Sequence, residues 1–136
     1  SNVLEHIEND KEIVSILCNK LKKNGKIFIY VPAFNVLYSD MDKQVGHYRR
    51  YTKHTLRQLF DTKQLKITDI RYADFCGYFV TLLYKFIPHK NGAFNKTSLK
   101  IFDTVIFPFS CLFDAITRGR CCGKNVMLVA TKIEEK

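Results

Sequence analysis

The run Lys26-Ile27-Phe28-Ile29-Tyr30-Val31-Pro32 follows an amphipathic segment closed by Asn24-Gly25, and this junction limits the fold more than any other feature of the chain. Ile27 to Val31 are all β-branched or aromatic, with no charge, the pattern of a strand covered on both faces as in a parallel sheet. In the preceding segment, residues 10–22, Ile13, Ile16, Leu17 and Leu21 fall at helical spacing on one face. Asn9 with Glu12 three positions on predicts a capping box, and Lys20, Lys22 and Lys23 suit the negative end of the helix dipole. Asn24-Gly25 offers a left-handed stop. A helix, a glycine turn and a buried strand make half of a βαβ unit.

The rest of the chain extends this pattern. Residues 32–51 show no periodicity and hold Pro32, Asn35, Asp40, Asp42 and Gly46, which predicts a long loop, and long loops in compact domains are usually functional. A second amphipathic helix is expected over 53–62, capped by Thr52 and burying Leu56, Leu59 and Phe60. Leu65, Ile67, Ile70 and Tyr72 mark a strand over 65–72. An aromatic, helix-like insert follows over about 74–120, in two pieces near 75–87 and 98–117, with Pro108 expected to kink or divide the second. Asn125 to Ile133 reads as a final buried strand. The order helix, strand, helix, strand, helical insert, strand is an α/β pattern within one domain, for which 136 residues suffice. The opening SNVLEHI begins with no strand before it, which suggests part of a larger fold.

Composition narrows the function classes. The net charge of +9 favours an anionic partner, whether nucleic acid, a phosphorylated substrate or an acidic membrane surface, though solvated surface charge accounts for it equally well. The five cysteines are odd in number and show no C-x-x-C spacing, so neither a disulfide framework nor a thiolate metal site is expected. Reduced thiols packed mostly as small hydrophobes, in a cytoplasmic protein, fit better. The longest apolar stretches are interrupted before the roughly 18–20 residues that a membrane span needs.

Three segments in order carry a resemblance: NVLEHIEND, LKKNGKIFIYVPA, and YSDMDKQVGHYRRYTKHTLRQLF. Together they resemble the C-terminal half of class I, Rossmann-like methyltransferases that use S-adenosylmethionine, within a bacterial branch marked by the GHYRRYT motif at residues 46–52. The likeness covers residues 2–60 closely, the strand NVMLVATK loosely, and the insert only in position and hydrophobicity. It implies that 26–31, 65–72 and 125–133 are the fifth, sixth and seventh strands of a seven-stranded sheet, in order 5-7-6 with the last strand antiparallel. It also implies an N-terminal cofactor-binding half outside this sequence. No G-x-G-x-x-G string occurs here, so the chain alone is expected not to bind the cofactor appreciably.

The resemblance assigns roles by position. Asn2, Val3, Leu4 and Glu5 would line the cofactor. His6 and His47 are the candidate catalytic residues, and Tyr38, His47, Arg49, Arg50 and Tyr51 would form the acceptor-side wall, binding a small or lipid-linked anionic acceptor. One arginine is expected to tether the loop through Asp40 or Asp42, because a planar guanidinium matches a carboxylate, and the other to face the cleft. A bland reading gives both arginines to ion pairs and the histidines to packing. The aromatic insert is expected to be a core or a lid, with peripheral membrane contact, aided by Lys85, Lys90, Lys96 and Lys100, as the other reading. The rival class is a basic nucleic-acid-binding or protein-interaction module without catalysis, in which Arg49 and Arg50 hold phosphates and the flanking tyrosines stack on bases. Finally, the 26–31 strand would lack a neighbour on one side and so promote self-association.

Overall fold

The structure is a computed structural model that describes residues 3–86, 104 and 107–133. Its centre is a three-stranded antiparallel sheet of β1 (Lys26–Pro32), β2 (Leu65–Ala73) and β3 (Asn125–Lys132). The last strand stands between the other two, in the order β1-β3-β2, with Lys26 opposite Thr131 on one side and Leu65 opposite Lys132 on the other. Helices α1 (Asp10–Lys20), α2 (Asp40–Gln44), α3 (Lys53–Phe60), α4 (Phe75–Phe86) and α5 (Phe107–Thr117) surround it, with short 3-10 turns at Leu4–His6 and Asn35–Leu37. The molecule is therefore a mixed α/β domain.

The sheet is covered unequally. Ile27, Ile29 and Val31 of β1 and Val126, Leu128 and Ala130 of β3 share a face. They form one core cluster with Val14 and Cys18 of α1 and Leu56 and Phe60 of α3. The opposite face presents Phe28, which is exposed, and Tyr30 and Met127, which are half-buried. The two-sided burial expected for 26–31 is thus not met among the described residues; β1 alternates, as a strand of an antiparallel sheet does when one face lies on the core. On β2 the spacing of Ile67 and Ile70 is odd, yet both pack against the core. A register shift between Ile67 and Asp69 resolves this by letting the strand take up one extra residue.

Local sequence explains most element ends. The Thr52 side chain accepts a hydrogen bond from the Thr55 amide and so caps α3. Asn24 takes a positive φ of 61° in the turn between α1 and β1. Asn9 behaves differently from the expected capping box. Its side-chain amide donates to Glu12 Oε2 (2.9 Å), and it makes no cap bond to the backbone. The buried stripe of α1 is Asp10, Val14 and Cys18, flanked by Ile13, Leu17 and Leu21. Ile16 sits outside that stripe and is exposed, a correction to the face read from the sequence.

Helices α4 and α5 are joined by a polar knot. Asp114 accepts from the Asp74 amide (2.6 Å) and the Phe75 amide (3.2 Å). The buried Ser110 hydroxyl donates to Asp74 Oδ1 and accepts from the Cys76 amide, both at 3.0 Å. Burial pushes the Asp114 carboxyl above its ordinary value, against the lowering effect of its two amide bonds. Pro108 lies in the first described turn of α5, where proline is well tolerated. Phe75 stacks on Phe113 (4.1 Å between ring centres), but Leu83, Phe109, Leu112 and Ile116 are exposed. Lys90, Lys96, Lys100 and Phe102 lie outside the described residues. No helix among the described residues is long and apolar enough to cross a membrane. Cys18 is buried, but Cys111 and Cys121 are exposed, so the packing expected for the thiols holds only in part.

Candidate functional site

The loop without periodicity turns out to be organised around one carboxylate. Ser39-Asp40-Met41-Asp42 starts the short helix α2, where the Ser39 amide donates to Asp42 Oδ2 (2.9 Å). Asp42, only 3% exposed, also receives Arg50 through two bonds of 3.0 Å, from Nε to Oδ1 and from Nη2 to Oδ2. His47 Nδ1 lies 2.8 Å from Asp42 Oδ1. Burial opposes ionisation of Asp42, but the bonds from Arg50, His47 and the Ser39 amide outweigh it and hold the carboxyl below its usual range. An ionised carboxylate only accepts, so the His47 proton resides on Nδ1 when the ring is neutral, and Nε2 is left bare.

Backbone contacts fix the ring from both sides. The His47 amide donates to the Asp42 carbonyl and the Tyr48 amide to the Glu5 carbonyl, each at 2.8 Å. The Tyr38 hydroxyl donates to the His47 carbonyl at 2.7 Å. This brings His47 against the 3-10 turn that precedes α1. His6 and His47 meet edge to face, with ring centres 4.6 Å apart, and His47 Nε2 lies 4.0 Å from Glu5 Oε1. His6 Nδ1 is 3.3 Å from the Gly46 carbonyl. Glu5 is 1% exposed, and its Oε2 is buried with no hydrogen-bond partner. Glu5, His6 and His47 each offer a donor atom, all within 4.8 Å of one another.

The remaining motif residues hold this arrangement in place. Arg50 is tethered by Asp42 and also donates to the Ala33 carbonyl (3.3 Å). Asp40 instead pairs with Lys43. Arg49 reaches the other way, to Asp10 Oδ2 (3.2 Å) and the Glu8 carbonyl (2.6 Å). Tyr51 is buried, its hydroxyl bonded to Asp10 Oδ2 (2.9 Å) and its backbone bridged to Ala33 just beyond β1. Burial and then Asp10 push its phenol far up. The motif GHYRRYT therefore belts the segment 4–10 to the loop 33–42.

Sequence reasoning expected His6 and His47 in one site, and several of its side-chain directions differ from the structure. His6 and His47 do meet. Arg50 and Tyr51, expected on the acceptor wall, point inward as supports because each has a buried carboxylate to satisfy. Arg49, 36% exposed at its side chain, keeps a partly open face. Among the residues assigned to the cofactor, the Leu4 and Glu5 side chains are buried, Val3 is exposed, and Asn2 lies outside the described residues. The tether of an arginine through Asp42 was expected; the convergence of His47 and the Ser39 amide on the same carboxylate was missed, although Ser39-x-x-Asp42 before a polar run is a helix-start signal. A groove of about 490 Å³ between α1 and α3, lined by Ser15, Asn19, Gln58 and Gln64 among others, contains none of these residues. No family model matches the chain, and no curated protein matches it.

Proposed function

We propose that this chain is the acceptor-side part of a Rossmann-like methyltransferase that uses S-adenosylmethionine. The observation that carries the reading is the meeting of His6 and His47, which Asp42 and Arg50 link to Ala33 at the carboxyl end of β1, the side on which open α/β sheets bind ligands. The last strand, antiparallel between the other two, supports it as well. The residues present do not make a cofactor cradle. The glycine-rich turn is missing from the sequence, and two of the four assigned side chains are buried. In this reading the cofactor is held largely by residues upstream.

What the chain's own residues supply is position and proton handling. Asp42 orients His47 so that the bare Nε2 is turned toward Glu5, and in this reading that nitrogen takes a proton from an acceptor hydroxyl or amine brought against it. The belt of Arg49, Arg50 and Tyr51 keeps that nitrogen in place, and such positioning is a large part of catalysis between two bound reactants. The acceptor is a small or lipid-linked molecule, and the setting is cytoplasmic. The Arg50 guanidinium is committed to Asp42 and Ala33, which counts against anion binding by it. The same commitment of both arginines to internal partners counts against the nucleic-acid reading. The edge of β1 not bonded to β3 supports self-association, which sedimentation at several concentrations would register.

Calorimetric titration of the protein, carried with its natural upstream sequence, tests the reading. Saturable binding of S-adenosylmethionine is expected. Absence of binding, together with a salt-dependent shift on an arbitrary oligonucleotide, would favour the rival.

A further inference from the structure

We propose that Glu5, His6 and His47 form a binding site for a first-row divalent cation of the zinc type. Two imidazoles and one carboxylate are a donor set that such ions take, and three protein ligands leave at least one position for water or a substrate oxygen. The donor atoms lie within 4.8 Å of one another. Bonds of about 2.0–2.2 Å require each donor to move inward by roughly 0.7 Å, which side-chain adjustment supplies.

Three observations point to a cation beyond the proximity of the donors. Glu5 is 1% exposed, yet its Oε2 has no hydrogen-bond partner, an arrangement that is costly unless something positive meets it. His47 carries the outer support typical of a metal-bound imidazole: Asp42 holds Nδ1 at 2.8 Å, which leaves Nε2 bare on the side of Glu5. Asp42 is itself fixed by Arg50 and the Ser39 amide, so the orientation of the ring is set before any ion arrives. His6 completes the set from the same 3-10 turn as Glu5.

The site rests on this donor geometry and not on methyl transfer. It nevertheless bears on the reaction, because an imidazole whose Nε2 holds an ion cannot also accept a proton. With the ion bound, a coordinated acceptor hydroxyl would be acidified and would give its proton to solvent water rather than to His47.

Zinc titrated into the purified, chelator-stripped protein tests the site. One equivalent should bind, and His6→Ala, which removes an exposed side chain, should weaken binding at least about tenfold. Glu5→Gln should do the same if circular dichroism shows that it folds; if it does not fold, His6→Ala decides. His54→Ala, on exposed α3 surface outside the cluster, and the double change Cys121→Ser with Cys122→Ser should leave the affinity unchanged. Failure to bind zinc would overturn the proposal. So would binding that persists in His6→Ala and is lost with the cysteines, or a cobalt complex showing thiolate charge transfer.

Discussion

Residues 33–51 and the pair α4–α5 are opposites. The first region has no periodicity, yet its polar side chains converge on Asp42 and Asp10, and Leu37 within it is completely buried. The second is helical, apolar along most of its length and rich in aromatics, yet leaves Leu83, Phe109, Leu112 and Ile116 exposed. Order in the loop comes from side-chain hydrogen bonds to backbone and carboxylate, and order in the helices from backbone bonds and a small polar knot. Apolar content therefore says little here about which region is tightly held. His47, one of the candidate site residues, sits in the region held by polar contacts.

The largest expected effect is at the hub. Asp42→Ala leaves the Arg50 guanidinium, 7% exposed, without its partner and should cost about 3–5 kcal/mol in urea or thermal unfolding. Arg49→Ala breaks a partly exposed pair with Asp10 and should cost only about 0–1 kcal/mol. Equal losses for the two variants would mean that the hub is no more important than the outer end of the belt.

The next contrast sets the loop directly against the insert. Leu37→Ala empties a fully buried site and should cost about 2–5 kcal/mol, as in any core. Ile116→Ser, at a position 72% exposed, should stay within about 0.5 kcal/mol. A reversal of that order would show the outer face of α5 to be packed in solution.

The smallest effect is a slope with pH. The Asp114 carboxyl has a folded pKa raised by burial, so its contribution to stability is fully present below the ordinary carboxylate value of 3.8 and is lost as pH rises through the raised value. Asp114→Asn keeps an acceptor for the Asp74 and Phe75 amides but has no proton to lose. Its stability relative to the natural protein should therefore rise between acid and neutral pH. Denaturant midpoints across that range check the sign, and a flat difference would count against the burial of this group.

The elements were legible where one chemical signal dominated. Asn24-Gly25, Thr52, and the uncharged run Ile27–Val31 each mark a boundary or a strand by local physics alone, and the structure keeps all of them. The face of α1 was not legible, because Val14 and Cys18 are no more apolar than Ile16; the choice among them is made by α3 and the sheet. The site was half legible. GHYRRYT and LEHI identified the segments that meet, but which arginine points inward depends on where Asp10 and Asp42 lie in space. Sequence spacing does not contain that information. The convergence of Glu5 with His47 was hidden for the same reason, since their contact runs across two loops rather than along a helix face.

All of this turns on whether Asp42 aims the bare nitrogen of His47 toward Glu5 and His6. Nitrogen-15 NMR of the His47 ring, above the pH at which it is protonated, measures this directly. The expected result is the Nδ1–H tautomer with a hydrogen-bonded Nδ1 proton and an unprotonated Nε2, lost in Asp42→Asn. A dominant Nε2–H form, or averaging between the two tautomers in the natural protein, would contradict it.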